Sequence, residues 1–203
     1  MIPPGGWIDA GTPRVTPLPP AELPWFARLV SWGARRWGRR HTANAEIPAL
    51  FLMLLRHRRL FWPWLRFAAR LMPNGSIGRR EAELVILRVA WTCRCRYEWG
   101  QHAAIALRLG FTPAEIRRVA EGPEAEGWQP KQSALLRAVD ELHRDRVVSA
   151  VTWGRLAAVY DQRQLIEVVM LAGHYEMLAG VLNTTALPLD ATVERALAGQ
   201  DLV

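Results

Sequence analysis

Apolar residues recur every three or four positions along most of the chain, and this spacing is typical of amphipathic helices. It predicts helices over residues 24–37, from residue 49, and over 61–71, 131–145, 152–160 and 161–183. The stretch 79–109 is apolar on every side around residues 84–91, so it predicts a buried helix. No long run alternates between apolar and polar positions as a half-buried strand does. The pattern therefore predicts an all-α fold, a helical bundle.

Turn and cap signals divide these helices. Residues 73–76 (Pro-Asn-Gly-Ser) and 122–130 predict loops. Thr112, Pro113 and Glu115 have the spacing of a capping box with proline at the first helical position. Asp190 is placed to cap a short terminal helix.

The first 24 residues differ from the rest of the chain. They contain seven prolines and no apolar periodicity, which predicts an extended arm that becomes ordered only where it docks. Residues 25–203 are predicted to form a single all-α domain.

Charge changes this picture little. The chain has 26 Lys and Arg against 19 Asp and Glu, a net charge of +7. Arginines cluster at 35–40 and 56–59, where they form either a phosphate- or lipid-binding surface or a solvated or subunit-facing helix face. We favour the second interpretation, because no DNA-binding motif accompanies them. We therefore expect no nucleic-acid partner and no membrane partner.

The two cysteines exclude a disulfide-stapled mini-protein, and no secretory signal is visible at the N-terminus. We therefore expect a cytoplasmic protein with reduced thiols. Cys93 and Cys95 would point about 200° apart on one helix, so a disulfide between them would be strained.

Candidate chemistry lies within one stretch of twenty residues. Cys95, Glu98 and His102 are spaced i, i+3 and i+7, so on a helix they share one face and can exchange protons. Glu83 joins them only if the helix breaks near residues 92–94. Such a break would place Cys95 in the first turn of a new helix, where the dipole lowers the pKa of a thiol.

Other interpretations of these residues stay open. Cys95 alone is typical of a buried structural thiol, and Glu98 with His102 of an ordinary surface pair. A metal site at Glu98 and His102 would lack the second histidine of a zinc helix, so we predict no metal. No cofactor is predicted either.

Residues 79–90 and 95–102, with the later segment 165–183, resemble the carboxymuconolactone decarboxylase and alkylhydroperoxidase D-like family. The similarity is specific over 79–110 and looser over 40–190. The resemblance implies an all-α fold, a homo-oligomer (dimer, trimer or hexamer), and a pocket between helices near subunit contacts.

Two branches of that family differ in their chemistry. The hydroperoxidase branch carries a glutamate, a Cys-x-x-Cys pair and a histidine, which fall here on Glu83, Cys95 and His102. The position of the second, peroxidatic cysteine is Glu98, so the thiol pair is incomplete. The Glu-Trp-x-x-His pattern of 98–102 instead resembles the decarboxylase branch, which uses acid–base groups.

The favoured hypothesis is therefore an enzyme of the decarboxylase type, acting on a small organic acid or lactone. His102 moves the proton, and Glu98 orients it or shares the transfer. We expect an arginine to hold the substrate carboxylate and aromatic side chains to wall the pocket. His174 is a further candidate for the pocket, although a core histidine that is hydrogen-bonded within the bundle is the favoured alternative. The candidates for these binding roles are Arg88, Arg96, Trp91, Tyr97 and Trp99.

Two alternatives remain. A thiol-dependent hydroperoxidase would use Glu83 and His102 to form a thiolate at Cys95, which a peroxide oxidises to a sulfenic acid. A non-catalytic binding protein would use the arginine-rich first 80 residues.

Overall fold

The helices begin where side chains satisfy the first free backbone N–H groups. Thr112 Oγ1 accepts a hydrogen bond from the Glu115 N–H (3.1 Å), and the Glu115 carboxylate accepts one from the Thr112 N–H (2.8 Å). This is the predicted capping box, and Pro113 follows it at the first helical position. Asp161 forms a second box with Gln164.

The computed structural model describes residues 1–22 and 47–203, and within these ranges the backbone contains helices and no strand, as predicted. The predicted helix over 24–37 and the arginine cluster at 35–40 lie outside the described residues. The helices are α1 (Ala49–Leu54), α2 (Arg58–Leu71), α3 (Arg79–Thr92), α4 (Arg96–Arg108), α5 (Pro113–Glu121), α6 (Pro130–Asp145), α7 (Ala150–Ala157), α8 (Gln162–Thr185) and α9 (Ala191–Leu197).

Two helices, α2 and α7, begin at least two residues earlier than predicted, because a residue upstream supplies a cap. His57 Nδ1 accepts a hydrogen bond from the Leu60 N–H (3.2 Å), so α2 begins at residue 58 and Pro63 lies inside it. Ser149 accepts one from the Thr152 N–H (3.3 Å), so α7 begins at residue 150.

The long helical stretch 79–109 is broken at residues 93–95. Arg94 adopts a left-handed conformation (φ 52°), which ends α3, and Cys95 is extended and becomes the N-cap of α4. The Arg94 N–H donates to Trp91 O (3.0 Å) and the Cys95 N–H to Ala90 O (2.8 Å), the pair of bonds that closes a Schellman-type helix end. Sequence analysis predicted that Glu83 could join the candidate site only if the helix broke near residues 92–94, and the structure contains that break.

The core is built around α3, whose apolar residues face every direction. Leu84 and Leu87 belong to a cluster shared with α4, α5 and α9. Val85 and Ile86 belong to a second cluster, shared with α6, α7 and α8. These clusters fix the position of α3 from both sides, and with it the residues that α3 contributes to the site.

The N-terminal segment packs on this core. Residues 1–19 contain no helix or strand, and the Trp7 ring contacts Trp91 (5.5 Å between centroids) and Trp99 (6.1 Å). The extended arm over 1–24 stays a prediction, because residues 23 and 24 lie outside the described part. The division at residue 25 and the homo-oligomer also stay predictions.

Asp190 precedes α9 as predicted, but its side chain does not cap that helix. The carboxylate instead accepts hydrogen bonds from the Ala49 N–H, the Tyr97 hydroxyl and the Gln101 amide. Asp190 therefore ties α1 to α4, which are two walls of the cavity described below.

One helix of the described ranges, α8, is long and apolar enough to cross a membrane by length and composition. About 44% of its most apolar window is buried inside the protein. Several apolar residues of α8 are buried in the second core cluster, and this packing accounts for much of the apolar character of the helix.

Candidate active site

A cavity of about 610 Å³ lies between α1, α2, α4 and α8. Its walls are mostly apolar. The charged and imidazole side chains that line it are those of Arg79, Glu98, His102, Arg108 and His174. A mostly apolar cavity with a few convergent polar groups is the usual form of a small-molecule site. The apolar wall includes Leu50, Phe51, Trp64, Leu65, Ala68 and Met72.

His102 is held by Glu83 across the break between α3 and α4. Its Nδ1 lies 2.7 Å from Glu83 Oε2, and both side chains are buried. When Nδ1 donates its hydrogen to the carboxylate, Nε2 carries the lone pair and is the nitrogen left for a substrate in the cavity. This is the arrangement of a general base with an orienting carboxylate.

Glu98 is a buried carboxyl group without a partner. The residue is only 3% exposed, and neither side-chain oxygen has a hydrogen-bond partner. Burial raises the pKa of Glu98 well above its usual value, because no charge or donor compensates the lost hydration. Burial therefore favours the protonated form of Glu98, which can donate a proton into the cavity it lines.

His174 lies on the same cavity in an aromatic surrounding. Its ring stacks on Trp64 (6.1 Å between centroids) and meets Tyr175 edge to face (5.3 Å). Burial lowers the pKa of His174 to about 4, so it is neutral at pH 7, and its Nδ1 has no partner. The structure thus places His174 at the cavity, which is one of the two positions that the sequence left open.

Tyr175 contributes a contact that sequence analysis did not assign. Its ring packs edge to face against His102, with 5.1 Å between centroids. Tyr175 and Glu83 therefore hold the imidazole from two directions. The signal available in the sequence was its position next to His174.

Arg79 is the basic residue of α3 at the cavity, and sequence analysis missed it. Its Nη2 lies 3.8 Å from Glu83 Oε1, and its Nε has no hydrogen-bond partner. The guanidinium therefore keeps hydrogen-bonding capacity for an anion. The i, i+4 spacing from Glu83 was the signal that could have identified it.

The two arginines proposed from the sequence as carboxylate ligands are not at the cavity. Arg88 forms a two-point ion pair with Asp140 (2.6 and 2.9 Å) and donates to the carbonyls of Val119 and Ala120. Arg96 pairs with Glu194 (3.0 Å), and both side chains are nearly half exposed. Each guanidinium is thus occupied by a partner distant in the sequence.

Of the three proposed aromatic wall residues, Tyr97 lines the cavity and the two tryptophans do not. Trp91 and Trp99 pack on each other (5.0 Å between centroids) and on Trp7 in the core. The Trp99 indole N–H donates to Leu202 O. Trp91 and Trp99 therefore pack against the N-terminal segment through Trp7, and their rings are not available to the cavity.

Cys95 is fully buried in the core cluster and does not line the cavity. Burial, with the nearby Glu98 carboxyl group, raises the pKa of the Cys95 thiol well above its usual value. Its place at the N-cap of α4 does not offset that burial. Cys93 and Cys95 are both free thiols.

The metal-ligand grouping found in the described ranges does not include Glu98 or His102. It consists of Cys93, His143 and Glu176, whose ligand atoms lie within 4.8 Å of one another. None of the three lines the cavity.

Comparison of the sequence with known families supports the predicted resemblance. Residues 58–141 match the Carboxymuconolactone decarboxylase family. This range contains Arg79, Glu83, Glu98 and His102. No curated protein matches the chain.

Several solved structures share the fold at low sequence identity. The debrominase Bmp8 C82A in complex with 2,3,4-tribromopyrrole is 13% identical, with a TM-score of 0.75 over 95% of this chain and 100% of that one. A peroxidase-related protein from Silicibacter sp. TM1040 is 15% identical, with a TM-score of 0.77 over 89% and 94%.

A third structure, an alkylhydroperoxidase AhpD core protein from Ralstonia eutropha JMP134, is 17% identical, with a TM-score of 0.75 over 95% and 100% of the two chains. At these identities the comparisons show the all-helical fold, and the chemistry rests on the site itself.

Proposed function

Residues 58–141 belong to the carboxymuconolactone decarboxylase family, and from that premise we propose that the chain is an enzyme using acid–base chemistry on a small organic acid or lactone. The observation that carries the proposal is the meeting of two groups at one cavity. His102 is positioned by Glu83, and burial favours the protonated form of Glu98.

His102 acts as the base in this proposal. Its Nε2 takes a proton from a substrate carbon next to a carbonyl group, and the Glu83 carboxylate stabilises the imidazolium that forms. The T-shaped contact with Tyr175 helps to hold the His102 ring in its orientation. The electron pair of the broken C–H bond moves to the carbonyl oxygen.

Glu98 acts as the acid. The protonated form of this buried carboxyl group donates its proton to the developing oxyanion or to the carbon that loses CO₂. In a decarboxylation, the bond between the carboxylate and the ring carbon breaks, CO₂ leaves, and that carbon takes the proton. If His102 instead removes a proton from one carbon and Glu98 delivers one to another, the result is isomerisation, and proton exchange with solvent returns His102 and Glu98 to their starting states.

Arg79 holds the substrate carboxylate in this arrangement. Its guanidinium presents planar N–H donors, which match a carboxylate in two-point geometry. The wall of α1 and α2 covers the apolar body of the substrate. The substrate class is therefore a compact, mostly apolar acid or lactone.

A hydroperoxidase using Cys95 is the second candidate. It is favoured by the intact Glu83–His102 pair and by the fold shared with peroxidase-related proteins. It is disfavoured by the burial of Cys95 away from the cavity and by the raised pKa of its thiol, because the thiolate is the nucleophile.

One experiment separates the two candidates. Wild type, His102→Gln and Cys95→Ser are incubated with a panel of small carboxylic acids and lactones, and products and CO₂ are followed by NMR. The acid–base proposal expects turnover by wild type, a loss of about 10²- to 10⁴-fold in His102→Gln, and retained turnover in Cys95→Ser.

The same three proteins are exposed to an organic hydroperoxide with a dithiol, and intact mass is recorded. An inert Cys95 supports the acid–base reaction. Oxidation confined to Cys95, with peroxide consumption that Cys95→Ser abolishes, would replace that proposal with the hydroperoxidase.

A further inference from the structure

Three potential metal ligands from three helices converge outside the cavity. Cys93 follows the last residue of α3, His143 lies in the last turn of α6, and Glu176 lies in the middle of α8. Cys93 Sγ is 3.8 Å from His143 Nδ1, which is 2.8 Å from Glu176 Oε1. All three residues are partly buried.

The ligands are carried by rigid elements. α3, α6 and α8 pack on one another through the second core cluster, to which Cys93 itself contributes. The Cys93 carbonyl accepts a hydrogen bond from the Asn183 amide of α8 (3.0 Å), which ties the end of α3 to that helix. The three ligand atoms are therefore positioned before any ion arrives.

The spacing agrees with tetrahedral zinc coordination. Zn–S near 2.3 Å, Zn–N near 2.05 Å and Zn–O near 2.1 Å place the sulfur about 3.6 Å from the nitrogen and the nitrogen about 3.4 Å from the oxygen. The sulfur–nitrogen separation in the protein is within a few tenths of an ångström of that value. The nitrogen and oxygen lie 2.8 Å apart in a hydrogen bond, so they must separate by about 0.6 Å when the ion takes the place of that bond.

The chemistry of the donors selects among metals. A thiolate with an imidazole and a carboxylate suits zinc and its cobalt substitute, whereas magnesium and calcium prefer oxygen ligands alone. Three protein ligands leave the fourth position to water.

We propose that Cys93, His143 and Glu176 form a binding site for a zinc-class divalent cation, separate from the candidate active site. The cation bonds to Cys93 Sγ, His143 Nδ1 and Glu176 Oε1, and the thiol proton is released to solvent. The Arg146 guanidinium already pairs with the other Glu176 oxygen, so it holds that carboxylate in one-point geometry.

The charges around Cys93 explain why an ion would stabilise this cluster. Burial and the Glu176 carboxylate raise the pKa of the Cys93 thiol to about 12, and Glu98 adds to the effect. Arg146 is the cation that opposes it. A divalent cation bound at the geometry described above compensates the Glu176 carboxylate and stabilises the Cys93 thiolate, so binding of the ion favours loss of the thiol proton.

Cobalt titration of the full chain tests the site, because a thiolate bound to Co²⁺ gives charge-transfer absorption in the near ultraviolet. We expect one equivalent of Co²⁺ to produce this band, release one proton from the thiol and be displaced by Zn²⁺. Cys93→Ser is expected to abolish the band and the thiol proton release. His143→Gln is expected to weaken binding by more than about a hundredfold. Loss of a residue that only hydrogen-bonds to a metal ligand already costs about 10- to 100-fold, and His143 is proposed as a ligand itself.

Cys95→Ser is the matched control, since it removes the other thiol and should leave the band unchanged. His143 is partly exposed, so His143→Gln tests the site even if the Cys93 variant folds poorly. Absence of the band in wild type, or its persistence in Cys93→Ser or its loss in Cys95→Ser, would overturn the assignment.

Discussion

Glu83 and His102 stand nineteen residues apart in the sequence, yet Glu83 Oε2 lies 2.7 Å from His102 Nδ1. On one continuous helix, two residues nineteen positions apart would be separated by about 28 Å along the axis and by a net rotation of about 100°. The left-handed Arg94 makes the contact possible by ending α3 and letting α4 turn back beside it. The acid–base proposal depends on this contact.

Replacing Glu83 with Gln is expected to lower kcat with little change in KM. The amide keeps the size of the side chain but removes the charge that orients and stabilises the His102 ring. A charge-assisted hydrogen bond contributes about 1.5–3 kcal/mol, which corresponds to a loss of about 10- to 150-fold. Steady-state kinetics measures the split between kcat and KM.

Glu83→Asp serves as its control, because it restores the charge with a shorter reach. Partial recovery of kcat in this variant identifies Glu83 as a positioning residue. Equal losses in both variants, with a lowered melting temperature, would indicate that Glu83 only maintains the fold.

Glu98→Gln is expected to inactivate the enzyme and to stabilise the protein at alkaline pH. Because burial raises the pKa of Glu98 above 4.5, the folded state binds more protons than the unfolded state as pH rises past that value. Stability is therefore fully present below about pH 4.5 and falls as pH increases, by up to about 1.4 kcal/mol per pH unit. The neutral amide removes this slope.

Urea unfolding of wild type and Glu98→Gln at pH 5, 7 and 9 measures the difference. The stability of the variant relative to wild type should increase along this series. A difference that stays constant with pH would mean that Glu98 does not take up a proton on folding, and the assignment of Glu98 as the acid would then lose its basis.

His174→Phe is expected to reduce the loss of stability that the protein shows at acidic pH. Burial lowers the pKa of His174 from 6.5 to about 4, so the unfolded state binds more protons between these values. Stability is present above pH 6.5 and is lost as pH falls towards 4. Phenylalanine keeps the stacking on Trp64 and removes the titration, so thermal unfolding between pH 7 and 4 should show a smaller loss in the variant than in wild type.

The helices and their caps could be predicted from the sequence because their signals are local. The capping box at Thr112 and Glu115 spans four residues, and the apolar surround of α3 is visible in its own sequence. The sequence did not predict whether the helix breaks before Cys95, so the inclusion of Glu83 in the site could be stated only as conditional on that break. A non-glycine residue in the left-handed region, here Arg94, carries no reliable local signal.

The roles of the arginines could not be predicted, because they depend on partners far along the chain. Arg88 is satisfied by Asp140, fifty-two residues away, and Arg96 by Glu194. The Asp190 carboxylate likewise does not cap α9 but accepts hydrogen bonds from the Tyr97 hydroxyl and the Ala49 N–H. A residue's spacing identifies its helix face, but the competition among distant partners decides which charge remains available to a ligand.

Arg79 and Arg96 give a direct test of which arginine binds the substrate. Arg79→Gln is expected to lower kcat/KM for a carboxylate substrate by about 10- to 150-fold, because it removes a charged hydrogen-bond donor from the cavity. The methyl ester of the same substrate, which has no carboxylate, should be affected much less.

Arg96→Gln is the matched control, since its exposed pair with Glu194 contributes at most about 1 kcal/mol to stability and lies away from the cavity. Equal losses for acid and ester in Arg79→Gln would show that Arg79 acts on Glu83 and His102 instead of on the substrate, because it also lies 3.8 Å from Glu83.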